Sequence, residues 1–190
     1  MSIRNVIIIG GSAGSLNPLV EMLEVCPADF PHPLVVVIHR GKNKRNLMGQ
    51  IIQNHTKIPV KEVEHFERLT NGHIYIAPAD YHLLIAENGE MELDFSEKVY
   101  YSRPSIDVSF QSFAQVFGVK LIGVVLSGAN KDCSAGATEI IKKGGTIMVQ
   151  HPEQAEVSMM PQETLNQNPE IEHILFSDQI MKKILEKTYK

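Results

Sequence analysis

The sequence has 190 residues, 43% hydrophobic and 21% charged, which is typical of one folded domain and excludes a globally disordered chain. Its formal net charge of −4 argues against nucleic acid as a partner, because phosphate binding requires clustered lysine and arginine. No apolar run reaches the ~18 residues of a membrane span or the pattern of a signal peptide, so we predict a cytoplasmic protein that is not inserted in a membrane.

The first part of the chain alternates buried strands with amphipathic helices. A continuous apolar run over 6–9 predicts a strand that is covered on both faces, as in a parallel sheet. Apolar residues at helical spacing then predict a helix over 16–25. The same alternation follows once more, with a strand over 34–38 and a helix over 47–53.

The middle of the chain, residues 60–95, has a different pattern. Short strand-like pieces occur at 74–77, 82–85 and 91–93. The last two flank an Asn88-Gly89 dipeptide, which is a strong hairpin turn signal. We therefore predict a small antiparallel patch that is attached to the main sheet.

The alternation of strands and helices returns in the second half of the chain. A helix is predicted over 106–117, with Gly118 as its stop, and a third buried strand follows over 121–126. The remaining predicted elements are a helix over 135–143, a strand over 146–149, and helices over 158–165 and 179–185. This order predicts a doubly wound α/β fold, with a mostly parallel sheet, helices on both faces and the small antiparallel hairpin patch.

Reactive side chains follow three of the predicted strands. Ser12 lies in the glycine-rich turn after the first strand, His39 directly follows the second, and Asp132 lies in the loop after the third. In doubly wound sheets, ligands bind beyond the carboxyl ends of the strands. A serine, a histidine and an aspartate are the residue types that act as nucleophile, base and orienting acid in a catalytic triad. We therefore expect these three residues to be catalytic.

Each of the three residues also has a structural interpretation. Ser12 and Asp132 could be N-caps of the helices that follow them, and His39 could bind only backbone atoms. The glycine-rich turn also resembles a dinucleotide-binding turn, although Ser12 stands where that fingerprint needs its second glycine. Since Arg40 could contact a 2′-phosphate, an NADP-binding module stays open as an alternative.

Redox and metal chemistry have only weak sequence signals. Cys26 and Cys133 lie far apart and form no CxxC pair, which fits free thiols in a reducing compartment. The eight histidines form no close ligand pair with carboxylates, such as HExxH. We therefore expect neither a metal nor an organic cofactor.

Six segments of the chain, taken in order, carry a family resemblance. GGSAGS holds Ser12, VVVIHR holds His39 and VVLSGANKDCSAG holds Asp132. The other three segments are IYIAPADYHLLI, RPSIDVSFQSFA and KKGGTIMVQHPEQAEVSMMP. Together they resemble the catalytic domain of the CheB-type chemotaxis receptor methylesterases over nearly the whole chain.

The resemblance implies that the chain hydrolyses glutamyl methyl esters on chemoreceptor-type helical proteins and releases methanol. It also implies deamidation of certain receptor glutamines. It places the nucleophile at Ser12, the base at His39 and the aspartate at Asp132, the residues that the strand ends already select. We expect the oxyanion to bind the N–H groups of Ala13, at the start of the following helix, and of Ala129.

The chain departs from the family pattern at three positions. Ala13 stands where the family usually has a threonine, Ala129 where it has a methionine and Cys133 where it has a glycine. These departures leave a non-catalytic binding domain as a further alternative. The family's receiver domain is not recognisable, so we expect a single catalytic domain over residues 1–190 that is constitutively open, and any regulator would act in trans.

Overall fold

The structure is a computed structural model that describes residues 3–41 and 47–189. Its strands are β1 (Val6–Gly11), β2 (Leu34–Ile38), β3 (Val60–Glu62), β4 (Glu67–Arg68), β5 (Ile74–Ile76), β6 (His82–Ile85), β7 (Glu90–Asp94), β8 (Leu121–Val125), β9 (Thr146–Gln150) and β10 (His173–Leu175). Its α-helices are α1 (Leu16–Glu24), α2 (Leu47–Asn54), α3 (Ile106–Phe117), α4 (Ser134–Lys142), α5 (Met159–Gln167) and α6 (Ser177–Thr188). No helix in the described ranges has the length and apolar character to cross a bilayer.

Seven strands form the main sheet, in the order β10-β9-β8-β1-β2-β5-β3, and all their pairings are parallel. Strand β1 is central and fully buried, and its alternate side chains enter different cores. Val6 and Ile8 pack in the core under α3 and α4, whereas Ile7 and Ile9 pack in the core under α1 and α6. The predicted doubly wound α/β fold is therefore confirmed.

Glycine ends α3 as predicted. Gly118 directly follows the helix at a φ of +49°, and its N–H donates to the carbonyl of Ala114. A positive φ costs glycine little because it has no Cβ, so the chain can turn there into a short 3₁₀ segment and then into β8.

The small antiparallel sheet differs in part from the prediction. It has the order β4-β7-β6, and β6 and β7 flank the predicted Asn88-Gly89 turn. The expectation that 74–77 belongs to this patch is wrong. Strand β5 pairs in parallel with β2 and β3 inside the main sheet. All three residues of β5 are buried, as expected of a strand covered on both faces.

The main sheet has its topological switch point at β1. Strands β2 and β5 lie on one side of β1, and β8 and β9 lie on the other. The chain leaves β1 toward β2 and leaves the adjacent β8 toward β9, so these two connections run in opposite directions and open a crevice at the carboxyl ends of β1 and β8. The segments that follow β1, β2 and β8 therefore meet at one edge.

Candidate active site

Ser12 and His39 leave two neighbouring strands side by side. Gly11 of β1 pairs with Ile38 of β2, and the His39 N–H donates to the carbonyl of Gly11 at 3.1 Å. The next residues on the two strands therefore start one strand spacing apart, about 4.8 Å. Both Ser12 and His39 line a single cleft of about 800 Å³.

The turn that carries Ser12 is held by backbone hydrogen bonds. The Ser12 N–H donates to the carbonyl of Ser127 at 2.9 Å, which ties the turn to the segment after β8. The Ser12 carbonyl accepts from the N–H and from the hydroxyl of Ser15, at 3.1 and 2.6 Å. Because Ser15 occupies the N-cap position of α1, the interpretation of Ser12 as that cap is wrong.

Ser127 and Gly14 fix this turn further. The buried Ser127 hydroxyl donates to the carbonyl of Ala13 at 2.8 Å and accepts from the N–H of Val157 at 2.9 Å. Gly14 has a φ of +75°, and a Cβ there would lie 2.7 Å from the Glu156 Cβ and from the Ser127 hydroxyl oxygen. Only glycine fits this position without a shift of its neighbours.

His39 and Asp132 are brought together over a long sequence distance. His39 Nε2 lies 2.7 Å from Asp132 Oδ2, and the side chains of the two residues are 9% and 0% exposed. His39 therefore binds a side chain and not only backbone atoms. Cys133, not Asp132, occupies the N-cap position of α4, so the capping interpretation of Asp132 is also wrong.

The Asp132 carboxylate sits on the amino-terminal end of α3. Its Oδ1 accepts from the Ser105 hydroxyl at 2.9 Å and from the Asp107 N–H at 2.8 Å, and its Oδ2 accepts from the Ile106 N–H at 2.9 Å. With His39 as a further partner, these contacts suit an anion, as does the partial positive charge of the helix end. We call Ser105, Ile106 and Asp107 the Asp132 clasp.

Sequence reasoning did not assign a role to Ser105 or Asp107. Ser105 is the N-cap of α3, and its hydroxyl also accepts from the N–H of Val108. Asp107 lies in the first turn of the same helix. A serine directly before an amphipathic helix with an early acidic residue is an N-cap signal, and this signal would have marked Ser105 as the start of α3, although not its contact with Asp132.

Asp107 is a second buried carboxyl group beside Asp132. Its Oδ1 accepts from the Gly136 N–H at 2.6 Å, so it joins the start of α3 to the start of α4. Burial raises the pKa of the Asp107 carboxyl to about 6; the Gly136 N–H opposes this rise and the nearby Asp132 charge adds to it. The site therefore holds two carboxyl groups in different environments.

Arg40 lines the cleft next to His39, but its charge is already paired. The guanidinium binds the Glu62 carboxylate and donates to the carbonyl of Ala77 at 3.0 Å. These contacts join the end of β2 to β3 and to the residue after β5. The nucleotide-binding alternative relied on Arg40 as a phosphate ligand, and this pairing argues against it.

The two expected oxyanion donors lie in exposed turns. No described residue accepts a hydrogen bond from the N–H of Ala13, and the same holds for the adjacent Gly14. Ala129 is exposed and follows Gly128, whose N–H donates to the carbonyl of Val157. The Ala13 N–H thus leaves the Ser12 turn with an unused donor.

Neither cysteine is suited to act as a nucleophile. Cys26 and Cys133 are free thiols. Burial raises the pKa of the Cys26 thiol to about 12 and that of Cys133 well above its usual value, so both stay protonated at neutral pH. Across residues 3–41 and 47–189, no cluster of three potential ligands could hold a metal ion.

Comparison with known proteins identifies the family. The profile of the CheB methylesterase family matches residues 7–184. The chain belongs to the CheB methylesterase family. This confirms the resemblance seen in the sequence and the predicted enzyme class, a carboxylic ester hydrolase.

Relatives of this CheB-family chain support the same assignment. A protein of Leptospira interrogans serovar copenhageni is 39% identical over 159 residues, which are 84% of this chain and 82% of that protein. The protein-glutamate methylesterase/protein-glutamine glutaminases of Thermotoga maritima and Chromohalobacter salexigens are 32% and 35% identical. Those matches cover 95% and 94% of this chain, which spans 53% and 51% of the two relatives.

The fold agrees with a solved CheB structure. The crystal structure of the Thermotoga maritima CheB methylesterase catalytic domain matches with a TM-score of 0.93 at 30% identity. The match covers 99% of this chain and 100% of that domain.

Proposed function

We propose that Ser12, His39 and Asp132 form a catalytic triad that hydrolyses glutamyl methyl esters on chemoreceptor-type proteins. The observation that carries this proposal is the 2.7 Å hydrogen bond between His39 and the buried Asp132 carboxylate, beside the cleft that Ser12 lines. The names of the Thermotoga and Chromohalobacter relatives support protein-bound glutamyl esters as the substrate class.

The reaction follows from the hydrogen bonds of His39. Asp132 accepts from Nε2, so Nδ1 is the nitrogen that is left to act as the base. As Ser12 Oγ forms a bond to the ester carbonyl carbon, its proton moves to His39, and Asp132 stabilises the imidazolium. His39 then returns the proton to the departing methoxide, and methanol leaves.

Water completes the cycle. His39 takes a proton from a water molecule as its oxygen bonds to the acyl carbon of the glutamyl ester on Ser12. The bond between Ser12 Oγ and the acyl carbon then breaks, His39 returns the proton to Ser12 Oγ, and the product leaves as the glutamate carboxylate. In both steps the developing oxyanion binds the Ala13 N–H, with Ala129 as the predicted second donor. A glutamine side chain gives the same acyl intermediate with ammonia as the leaving group, so deamidation belongs to the same proposal.

Ser12→Ala tests the assignment. We expect methanol release from a methylated chemoreceptor fragment to fall by roughly 10⁴-fold or more, because a nucleophile has no substitute. The melting temperature should not change, because Ser12 caps no helix. Ser158→Ala is the matched control, since the exposed Ser158 hydroxyl makes no capping hydrogen bond. A variant that retains a tenth of wild-type turnover would show that Ser12 is not the nucleophile.

Three further expectations are also part of this proposal. They are the single-domain organisation over residues 1–190, a separate regulator that acts in trans, and the cytoplasmic location. The free thiols Cys26 and Cys133 support the last of these, because free cysteines are typical of reducing compartments.

A further inference from the structure

A group of exposed aromatic side chains lies beside the proposed catalytic cleft. Its members are Tyr101, Phe95, Tyr100 and Tyr81, which are 97%, 59%, 42% and 39% exposed. We call them the aromatic rim. The rings of Tyr81 and Phe95 are 5.6 Å apart between centroids, so at least this pair forms a continuous surface. Adjoining exposed aromatic side chains mark interaction sites more often than single ones.

The two tyrosines at the tip occupy an unfavourable backbone conformation. Val99 and Ser102 pair through two backbone hydrogen bonds of 3.2 and 2.9 Å, which leaves Tyr100 and Tyr101 as a two-residue hairpin turn. Both have positive φ angles, of +47° and +61°. Turns of this kind favour Asn-Gly, and bulky residues persist in them chiefly at functional sites.

The base of this turn is anchored. The Arg103 guanidinium donates to the carbonyls of Phe95 and Ser96 at 2.9 and 2.6 Å, and it binds Asp80 Oδ1 at 2.8 Å. It also stacks 3.7 Å from the centroid of the Phe95 ring. Tyrosines on an anchored turn lose little conformational freedom when a partner binds, which favours affinity.

The turn shares a wall with the proposed active site. A second cleft, of about 340 Å³, lies between the two. One side of it is formed by residues 39–41, which also line the catalytic cleft. The other side includes Lys98 and Tyr101. A protein segment that presents a side chain to Ser12 can therefore contact the turn at the same time.

The charge around the turn indicates what binds there. The side chains of Lys98 and Lys131 are exposed, and Lys131 Nζ lies 5.6 Å from the centroid of the Tyr100 ring. The turn therefore carries exposed positive charge, whereas the chain as a whole has a net charge of −4. Of the nearby acids, Asp80 binds Arg103 and Asp94 binds Ser96, whereas Glu97 is exposed. Hydrolysis turns each glutamyl ester into a carboxylate, so the substrate segment grows more acidic as it is processed.

We propose that the aromatic rim, together with Lys98 and Lys131, is the docking surface for an acidic helical segment of the methylated substrate protein. This inference rests on the proposed function. The tyrosines contact the apolar methylene and methyl groups of the glutamyl esters, and the lysines bind neighbouring carboxylates. The rim thus gives affinity for the protein substrate that a small ester lacks.

Binding is measured without turnover in the Ser12→Ala background. The probe is a methylated cytoplasmic fragment of a chemoreceptor, titrated calorimetrically. Tyr101→Gly removes the side chain but installs the residue that this backbone conformation favours, so the turn should persist. We expect Kd to rise about tenfold, as for an interface aromatic residue. Tyr189→Ala, at a tyrosine that is 57% exposed after α6, should leave Kd unchanged.

A Tyr101→Gly variant that binds within twofold of its parent overturns the proposal. The lysines test the nature of the partner. Lys98→Gln combined with Lys131→Gln should weaken binding several-fold at low salt, and the difference should shrink at high salt, because exposed charges are screened. Equal salt dependence in the variant and its parent would mean that the occupant is not acidic.

A small substrate separates the two hypotheses. Methanol release from the methylated chemoreceptor fragment by the chain with an intact Ser12 tests the proposed function alone, and its absence would disprove that function whatever the Kd values are. Turnover of a blocked glutamate γ-methyl ester reports on the triad without contacts to the rim. In a chain with an intact Ser12, Tyr101→Gly should lower kcat/KM for the protein substrate at least fivefold more than for the small ester, following the change in affinity. Equal losses on both substrates would refute docking at the rim.

Discussion

Asp132 and Ser12, at opposite ends of the proposed triad, have different surroundings. Asp132 is fully buried, and each of its carboxylate oxygens has two hydrogen-bond partners. Ser12 is half-buried in a turn whose next N–H, that of Ala13, has no acceptor among the described residues. The orienting acid must hold one position throughout the reaction, whereas the nucleophile needs open space and unused donors for the substrate. Substitutions near Asp132 should therefore reduce both stability and activity.

Asp132→Asn gives the largest test of this contrast. Each carboxylate oxygen accepts one backbone N–H, from Ile106 or from Asp107, so either orientation of the asparagine places its NH₂ against a donor. We expect kcat to fall about 10⁴-fold, and the free energy of unfolding to fall by about 1–3 kcal/mol. Methanol release and urea unfolding measure the two effects.

Ser12→Ala, which should leave the stability unchanged, is the variant with which the urea unfolding of Asp132→Asn is compared. If Asp132→Asn unfolds at the same urea concentration as the wild type, the clasp adds nothing to stability. The buried end of the triad would then be no more firmly held than the open end.

Gly14→Ala tests whether the open end has a fixed backbone. The added Cβ would lie 2.7 Å from Glu156 and Ser127, so the turn must shift, and a shift near 1 Å costs about 10²-fold in rate. Gly89→Ala is the matched control, because Gly89 also has a positive φ, of +82°, but nothing lies within 4 Å of its added Cβ. The strain of a Cβ at a positive φ should lower the free energy of unfolding of Gly89→Ala by about 1 kcal/mol, as in Gly14→Ala, but the rate should not fall.

Equal rates for the two alanine variants would contradict the fixed turn. They would mean that Ser12 can be presented by more than one arrangement of residues 10–15.

The placement of Ser12, His39 and Asp132 at one edge of the sheet could be predicted because each follows a strand that the sequence marks clearly. Apolar runs end at Ile9, Ile38 and Leu126, and parallel strands deliver their next residues to one edge. The clasp could not be predicted in the same way, because it joins Asp132 to residues 25 to 27 positions earlier. Periodicity carries no information on such contacts, and only the N-cap signal at Ser105 is local.

The same limit explains the error at β5. Three apolar residues show that Ile74–Ile76 is a strand, but its direction depends on its pairing with Leu34 and Val60. The hairpin of β6 and β7 was predicted correctly, because its pairing is determined by the adjacent Asn88-Gly89 turn. The strand β10 is short and partly exposed, and it has no periodicity that would reveal it.

Asp107→Asn tests the burial of the second carboxyl group. Its pKa of about 6 in the folded chain lies above the 3.8 of an unperturbed aspartate, so between these pH values the folded chain holds a proton that the unfolded chain has lost. Its contribution to the free energy of unfolding therefore falls as pH rises from about 4 to 6. Asparagine keeps the oxygen that accepts from Gly136 but cannot ionise. We expect Asp107→Asn to be more stable at pH 7, by on the order of 2 kcal/mol.

Urea unfolding at pH 4.5, 5.5 and 7 measures this difference, which should be smallest at pH 4.5. Asp178→Asn is the control, since Asp178 also lies in the first turn of a helix but is 63% exposed. If the wild-type pH dependence persists in Asp107→Asn, another group causes it.

Ser105→Ala should give the smallest effect, because it removes one of several contacts to Asp132. The loss of an N-cap costs about 1 kcal/mol in the free energy of unfolding. Ser109→Ala is the matched control, because the Ser109 hydroxyl donates to the Ser105 carbonyl at 3.2 Å and does not contact Asp132. If Ser105 positions Asp132, kcat should fall several-fold in Ser105→Ala alone, with KM unchanged, since substrate contacts stay intact. A similar fall of kcat in Ser109→Ala would show that general loosening of α3 is the cause, and that the Ser105 hydroxyl does not orient the triad.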